Sequence, residues 1–255
     1  MAEASLCVQG IRKHFGGVSV LEDVSFAAPA GGLSGMIGPN GAGKSTLFAI
    51  VTGFQAGDGG SVLFKGQDVT ALPTVQRVRL GMARTFQVPR EFGSLTVREN
   101  LMAAAPGQAG EKLRNVFFRP GWIRAEEAAI AAAAEEWLAF LNLERVADAP
   151  ASSLSGGQRK LLELGRALMV RPAMILLDEP FAGVNPVLVG EISERIRELS
   201  AKGIGFLIVE HNLAALSRLV DRLFVLDRGR LLAEGAPAEV LADAAVREAY
   251  MGGSA

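Results

Sequence analysis

Apolar and polar positions along this chain change rhythm from one third to the next. The first third carries short, strand-like runs. Ser5-Leu6-Cys7-Val8-Gln9-Gly10-Ile11 alternates roughly, and Leu21 to Phe26, Gly32 to Ile37 and Ser61 to Phe64 are apolar runs bounded by glycine, the pattern of strands closed by turns. Gly57-Asp58-Gly59-Gly60 marks one such turn. The middle is helical and alanine-rich over Val97 to Ala105 and Ala125 to Leu143, with an irregular connection from Pro106 to Gly121. The last third alternates strands (Met174 to Leu177, Gly205 to Val209) with amphipathic helices (Val187 to Ala201, Leu213 to Leu219). Leu223 to Leu226 and Leu231 to Ala233 then flank the turn Asp227-Arg228-Gly229-Arg230. Strands alternating with helices predict an α/β fold with a mostly parallel sheet. The rhythm predicts one domain over 1–255, its α/β core from about 1–88 and 166–255 and a helical insert over about 89–165.

The turn after the third strand run carries chemistry. Gly38-Pro39-Asn40-Gly41-Ala42-Gly43-Lys44-Ser45 fits the phosphate-loop spacing G-x-x-x-x-G-K-[ST]. Glycine lets the backbone curl so that successive N–H groups face a phosphate. Lys44 supplies a mobile cation for the β- and γ-phosphates, and the Ser45 hydroxyl a magnesium ligand. Gly38, Asn40, Gly41, Ala42, Gly43, Lys44, Ser45 and Thr46 are therefore the candidate nucleotide-binding set. The helix expected from Lys44 through Thr46 to Val51 points its positive end at the same place, so strand, loop and helix follow in the order the mechanism requires.

Two further stretches match that chemistry. Met174 to Leu177 leads into Asp178-Glu179, and the carboxyl end of a parallel strand is where open α/β sheets place ligands. Asp178 reaches the magnesium directly or through a water; Glu179 serves as general base or positions the attacking water. Leu154-Ser155-Gly156-Gly157-Gln158 precedes a helix with Leu161, Gly165, Leu168 and Met169 on one face. Ser155 is its expected N-cap, and Gly156 and Gly157 expose backbone N–H groups, which makes a second anion-facing helix end. Two phosphate-facing ends with one phosphate loop imply a dimer in which each site is shared.

Bulk properties narrow the partners. The net charge of −1 offers no basic field for DNA or RNA, so nucleic acid is not expected. Mean hydropathy is high at +0.27, but the excess is alanine, as in Ala128 to Ala134, and no apolar run reaches bilayer length. Met1-Ala2-Glu3-Ala4-Ser5 lacks the basic start and apolar core of a signal peptide. Cys7 is the sole cysteine, so no internal disulfide forms, and a reducing cytoplasm fits. Cys7 itself reads as a small, half-buried strand residue.

With phosphate loop, strand-end carboxylates and Leu154 to Gln158 in place, the chain resembles the ATP-binding subunit of an ABC transporter over essentially its whole length. The resemblance implies a phosphate-loop NTPase core with a helical signature subdomain, the ABC ATPase cassette. Its cofactors are ATP and Mg2+, and two cassettes pack head to tail so that Ser155, Gly156, Gly157 and Gln158 act on the partner's ATP. It also implies roles for residues that spacing alone leaves generic. Gln87, in Ala83-Arg84-Thr85-Phe86-Gln87, approaches magnesium and the attacking water. His211, in Glu210-His211-Asn212, contacts the γ-phosphate. Phe15 stacks on adenine where many members have tyrosine, its alternative being a half-buried core aromatic. Asn185 stands where the inter-subunit loop usually holds aspartate.

The same loop, Thr52-Gly53-Phe54, Ala83-Arg84-Thr85-Phe86-Gln87, the insert near Phe117-Phe118 and the ending from Val246 to Gly252 resemble the branched-chain amino acid uptake subfamily. That resemblance implies an importer of branched-chain or other hydrophobic amino acids, or of urea and small amides, held peripherally at the cytoplasmic face of the inner (plasma) membrane. Its partners are two transmembrane permease subunits, an external substrate-binding protein and a second, related cassette. The region from Pro89 to Asn100 is the expected permease dock, where Phe92, Leu95 and Val97 serve either that contact or core packing; Arg114, Arg119 and Arg124 read as a solvated face. Three alternatives stand beside this one: a lipid or lipopolysaccharide extraction ATPase, a non-transport ABC ATPase, and a phosphate-loop kinase, which leaves Leu154 to Gln158 unexplained.

Overall fold

The computed structural model describes residues 4–85, 91–111, 114–115 and 120–251. Ten strands lie among these residues: β1 (Ala4–Phe15), β2 (Val18–Pro29), β3 (Leu33–Ile37), β4 (Gly59–Phe64), β5 (Gln67–Asp68), β6 (Met82–Arg84), β7 (Met174–Asp178), β8 (Gly205–Val209), β9 (Arg222–Asp227) and β10 (Arg230–Gly235). Nine α-helices lie among the described residues: α1 (Lys44–Val51), α2 (Thr74–Arg79), α3 (Val97–Ala103), α4 (Pro120–Phe140), α5 (Gly156–Leu168), α6 (Pro186–Ala201), α7 (Leu213–Leu219), α8 (Pro237–Ala242) and α9 (Ala244–Met251). The chain divides into two compact units, one of Met1–Gln87, Ala173–Ala182 and Val189–Ala255, the other of Val88–Pro172 and Gly183–Leu188.

The first unit holds both sheets. One is antiparallel, in the order β2-β1-β4-β5. The other runs β10-β9-β3-β8-β7-β6, parallel except for the β9–β10 hairpin. Every residue of β3, β7 and β8 is buried, as expected of parallel strands covered on both faces. Their apolar continuity is why the sequence marks them plainly. The core between the sheets includes Leu6, Phe48, Phe64, Leu176, Leu207 and Phe224. Phe26 of β2 packs on Phe224 of β9 with ring centroids 4.9 Å apart. Cys7 is partly buried on β1, as its sequence suggests.

The second unit is helical. Thr96 and Glu99 form a reciprocal capping box at the start of α3: the Thr96 hydroxyl accepts from the Glu99 N–H at 3.1 Å, and the Glu99 carboxylate from the Thr96 N–H at 2.8 Å. The Thr96 N–H and, at 3.0 Å, the Thr96 hydroxyl donate to the Glu99 carboxylate and hold it below its usual range. Leu161, Gly165, Leu168 and Met169 are all buried along one face of α5. A Cβ at Gly165 would come within 2.8 Å of both Leu101 and Leu141, so glycine sets the spacing of that packing. α4 starts at Pro120, earlier than the alanine pattern suggests, since proline suits a first helical position. It ends at Phe140 because Asn142 turns left-handed (φ 55°) and Leu143 N–H closes onto Leu138 O at 2.9 Å.

Arg77 of α2 is 3% exposed, yet each of its side-chain nitrogens donates a hydrogen bond. It donates to the carbonyls of Ile50 (2.8 Å), Val51 (2.6 Å), Thr70 (2.9 Å) and Leu72 (2.9 Å). Ile50 and Val51 end α1, where carbonyls lack intrahelical partners and a cation complements the dipole. Arg77→Met removes four charged donations, leaving Ile50 O with the Gly53 N–H at 3.1 Å and the other carbonyls without this donor, and is expected to lower the unfolding free energy by about 3 kcal/mol, from charged hydrogen bonds lost and buried acceptors left unmade. Urea unfolding with an unchanged midpoint would contradict it.

Candidate active site

Local backbone chemistry shapes the phosphate loop. The chain leaves β3 at Ile37, crosses Gly38 to Gly43 and enters α1 at Lys44. Gly43 stands at the helix N-cap with φ 102°, a conformation that side chains other than glycine's resist. At Gly38 a Cβ would overlap the Leu226 carbonyl oxygen of β9, so only glycine permits that approach. The loop is pinned by Ala42 N–H to Pro39 O at 3.2 Å and Gly229 N–H to Ala42 O at 3.1 Å. Asn40, Gly41 and Ser45 are exposed, Thr46 is partly buried and Ala42 is buried.

Lys44 is 7% exposed, its ammonium donating to Gly38 O at 2.6 Å and Pro39 O at 2.9 Å. Burial lowers its pKa, while the charges of Glu179 and Asp178 push it back up. The predicted cation and the predicted carboxylates thus share one electrostatic environment.

Those carboxylates end β7. Asp178 is buried, and its Oδ2 lies 3.0 Å from Arg84 Nη2. Glu179 follows with a left-handed φ of 50°, a strain of roughly 1–3 kcal/mol for a non-glycine residue. Its N–H bonds Val209 O at 2.9 Å, and its carboxylate stands 3.0 Å from His211 Nε2. Parallel pairing of β7 with β8 therefore brings together two residues that sequence named separately.

Glu210 is a residue that sequence reading missed. It is 3% exposed. One carboxylate oxygen accepts from Phe181 N–H at 2.6 Å; the other accepts from His211 N–H at 3.0 Å and Asn212 N–H at 3.3 Å. Burial pushes its carboxyl up against these N–H groups, and the charge of Glu179 adds in the same direction. Glu210 thereby ties the segment after Glu179 to the segment holding His211. Its only sequence signal is a carboxylate directly beyond the apolar run Gly205 to Val209.

Phe15 ends β1 and is 50% exposed, outside the core. Lys13 Nζ lies 5.5 Å from its ring centroid. Asp58 fixes this corner, accepting from Lys13 Nζ at 2.7 Å and His14 N–H at 2.6 Å, and both bonds hold its carboxyl below the usual range.

The signature stretch belongs to the helical unit. The Ser155 hydroxyl accepts from Gln158 N–H at 3.3 Å, and Gln158 Oε1 accepts from Ser155 N–H at 3.0 Å, a capping box at the head of α5. Gly156 is exposed. Gly157 is buried, contrary to the open position sequence suggests, because Leu188 packs where its side chain would be. Asn185 Oδ1 accepts from that same Leu188's N–H at 3.0 Å. Asn185 therefore fixes the turn whose leucine covers Gly157. Arg166 stacks over exposed Phe92, 5.1 Å from its ring centroid, while Leu95 is partly buried and Val97 fully buried. Arg114 and Arg124 are exposed. Gln87, Phe117, Phe118, Arg119 and Gly252 lie outside the described residues.

A family model described as ABC transporter matches residues 21–182, and one described as Branched-chain amino acid ATP-binding cassette transporter matches 230–255. The chain is 41% identical over 251 residues to the probable branched-chain amino acid transport ATP-binding protein LivG of Methanocaldococcus jannaschii, with 97% of each covered. It is 36% identical over 249 residues to the lipopolysaccharide export system ATP-binding protein LptB of Escherichia coli K12, with 98% of each covered. It also matches the solved ADP conformation of an ATP-binding cassette of an ABC transporter, with a TM-score of 0.85 and 40% identity, over 98% of this chain and 100% of that one.

Tyr250, the only tyrosine, lies on α9 and is hydrogen-bonded with the backbone of Gly38. Burial pushes its phenol up to about 12. The folded chain then binds this proton more tightly than the unfolded chain, whose tyrosine titrates near ~10. Stability from this group is complete below the unfolded value and is lost as pH rises through the folded one. Ultraviolet difference titration of the folded chain is expected to show tyrosinate forming only near pH 12; a midpoint at the ordinary tyrosine value would contradict the partly buried placement.

Proposed function

The chain belongs to the ATP-binding cassettes of ABC transporters, and on that premise we propose that it powers uptake of branched-chain or other hydrophobic amino acids, or of similar small molecules such as urea and amides. As a member of that family it binds and hydrolyses ATP, working as a dimer with membrane permease subunits. Among the described residues, no helix is long and apolar enough to cross a membrane, which supports peripheral attachment through those permeases at the cytoplasmic face. An external binding protein delivers the substrate, and the second cassette is a related chain.

The residues fit a magnesium nucleotide. At Gly41 an added Cβ would meet nothing within 4 Å, so the loop presents bare backbone outward, and an exposed hydroxyl and a buried carboxylate, Ser45 and Asp178, form an oxygen donor set suited to a hard cation. When bound, magnesium neutralises charge on the β- and γ-phosphates. The backbone from Gly38 to Gly43, with Asn40 and the Lys44 ammonium, holds the phosphates; Thr46 adds a hydroxyl; Phe15 stacks on adenine. Glu179 takes the proton of the attacking water or positions that water. His211, 3.0 Å away, steadies that carboxylate and faces the γ-phosphate, and Gln87 completes the group. Ser155, Gly156, Gly157 and Gln158 grip the ATP held by the partner, and Asn185 lines the inter-subunit loop. Closure on ATP and release after hydrolysis convert a difference in affinity between open and closed states into motion.

The match of residues 230–255 to the branched-chain cassette model carries the choice of substrate. Lipopolysaccharide export is the second reading, favoured by the LptB relative. Capture of the intact complex separates them. The uptake reading expects permeases whose ATP hydrolysis rises with a binding protein loaded with a hydrophobic amino acid; stimulation by lipopolysaccharide alone overturns it.

Glu179→Gln is expected to lower kcat at least about a hundredfold, the usual contribution of general base catalysis, while ATP still binds and drives dimer formation on gel filtration. Undiminished hydrolysis removes Glu179 from that role. Assembled with an unaltered partner cassette, Lys44→Ala and Ser155→Ala each leave one undamaged loop–signature pair, so partial hydrolysis is expected of each and far less of the double variant. A double variant no worse than Lys44→Ala contradicts the composite arrangement.

A further inference from the structure

We propose that Arg84 is a positioning residue for Asp178, holding that carboxylate in the orientation in which it serves the magnesium nucleotide. The inference rests on the reading of Asp178 as a magnesium-side residue and extends it to Arg84.

The β-sheet register creates the contact. Arg84, the last residue of β6, pairs with Leu176 of parallel β7. Asp178 is one pleat further along, and residues two apart share a sheet face. The Arg84 side chain leans forward by that step and places Nη2 3.0 Å from Asp178 Oδ2. Its other end is clamped by the first helix and the turn beyond it. Nη1 donates to the Thr52 hydroxyl at 3.3 Å, and that hydroxyl donates to Phe48 O at 2.6 Å. The guanidinium lies over Phe48 and Phe54, 5.9 Å and 5.6 Å from the ring centroids. One planar cation thus links α1, the helix that opens at the phosphate loop, to the carboxylate ending β7.

Stability alone is a weak reason for this pair. Both side chains are about nine-tenths buried, and desolvation of a buried ion pair largely offsets its attraction. Orientation is the stronger reason. Carboxylates that serve metals are themselves hydrogen-bonded, and loss of that outer partner typically costs about 10- to 100-fold in metal affinity. Arginine suits the task because its fork is rigid and stacks on aromatic rings, whereas lysine offers a point charge.

The test uses the full-length chain and a fluorescent ATP analogue, with affinity measured in EDTA and again in magnesium. Metal-free affinity reports the fold and the phosphate loop; the ratio of the two affinities reports the metal. Arg84→Met is expected to leave metal-free affinity unchanged and to cut the magnesium enhancement by about 10- to 100-fold. Arg84→Lys should fall between wild type and Arg84→Met, and Arg84→Met should add nothing to Asp178→Asn. A wild-type enhancement in Arg84→Met overturns the proposal, as does an equal loss with and without metal or a gain in magnesium affinity. If Arg84→Met does not fold, Arg84→Lys decides by the same ratio. An Asp178→Asn chain that keeps its enhancement sinks the magnesium reading of Asp178 and this proposal with it. An Asp178→Asn chain that loses it beside an Arg84→Met chain that keeps it sinks this proposal alone.

Discussion

Lys44, Arg84, Asp178 and Glu210 carry ionisable groups at or beyond the carboxyl ends of largely buried strands, and each has a partner. Lys44 is solvated by the loop's own carbonyls and by the fields of two carboxylates. Arg84 answers Asp178. Glu210 is held by three backbone N–H groups. An ion left alone in such surroundings costs several kcal/mol, so none of these groups is independent of its neighbours. The glycines at 38 and 43 serve the same balance: a side chain at 38 would overlap the Leu226 carbonyl, and one at 43 would press on Leu21 and the Val20 carbonyl, moving the loop whose carbonyls solvate Lys44.

That balance explains why function is clearer in this sequence than some of the fold. The phosphate loop constrains backbone dihedral angles residue by residue, and only a narrow spelling satisfies them. β3, β7 and β8 are legible because burial on both faces demands an apolar run. β1 and β2 each extend to 12 residues, longer than alternation implies, because bulges and the left-handed Gly10 and Asp23 interrupt the period. β6 is invisible: Met82-Ala83-Arg84 is too short to show a period, and pairing with β7 alone makes it a strand. α2 and α8 have six residues each, below the length at which helical periodicity stands out.

Residue pairs are less legible than residues. Glu179 and His211 were each nameable, but their contact comes from the β7–β8 ladder, which no local pattern encodes. Arg84 looks like an ordinary charge beside Thr85, and Glu210 like a solvated residue past a strand. Both become informative only when the sheet order is known, because their partners lie on neighbouring strands or loops rather than nearby in the chain.

The signature shows how one hydroxyl serves two ends. Ser155 Oγ accepts from Gln158 N–H and so caps α5. A hydroxyl that accepts still carries its own hydrogen, and Ser155 is exposed. Aspartate would cap the helix as well but would set a negative charge against a phosphate. Serine caps without that charge and retains a donor for the nucleotide of the opposite cassette, on the composite-site reading. Asn185 follows the same logic in reverse. It accepts from Leu188 N–H as an aspartate would, keeping Leu188 seated over Gly157, and removes only the charge. The neutral side chain preserves the turn that supports the signature and differs from an aspartate there only in charge, so on the composite-site reading the difference falls on the field facing a partner rather than on the shape of the site.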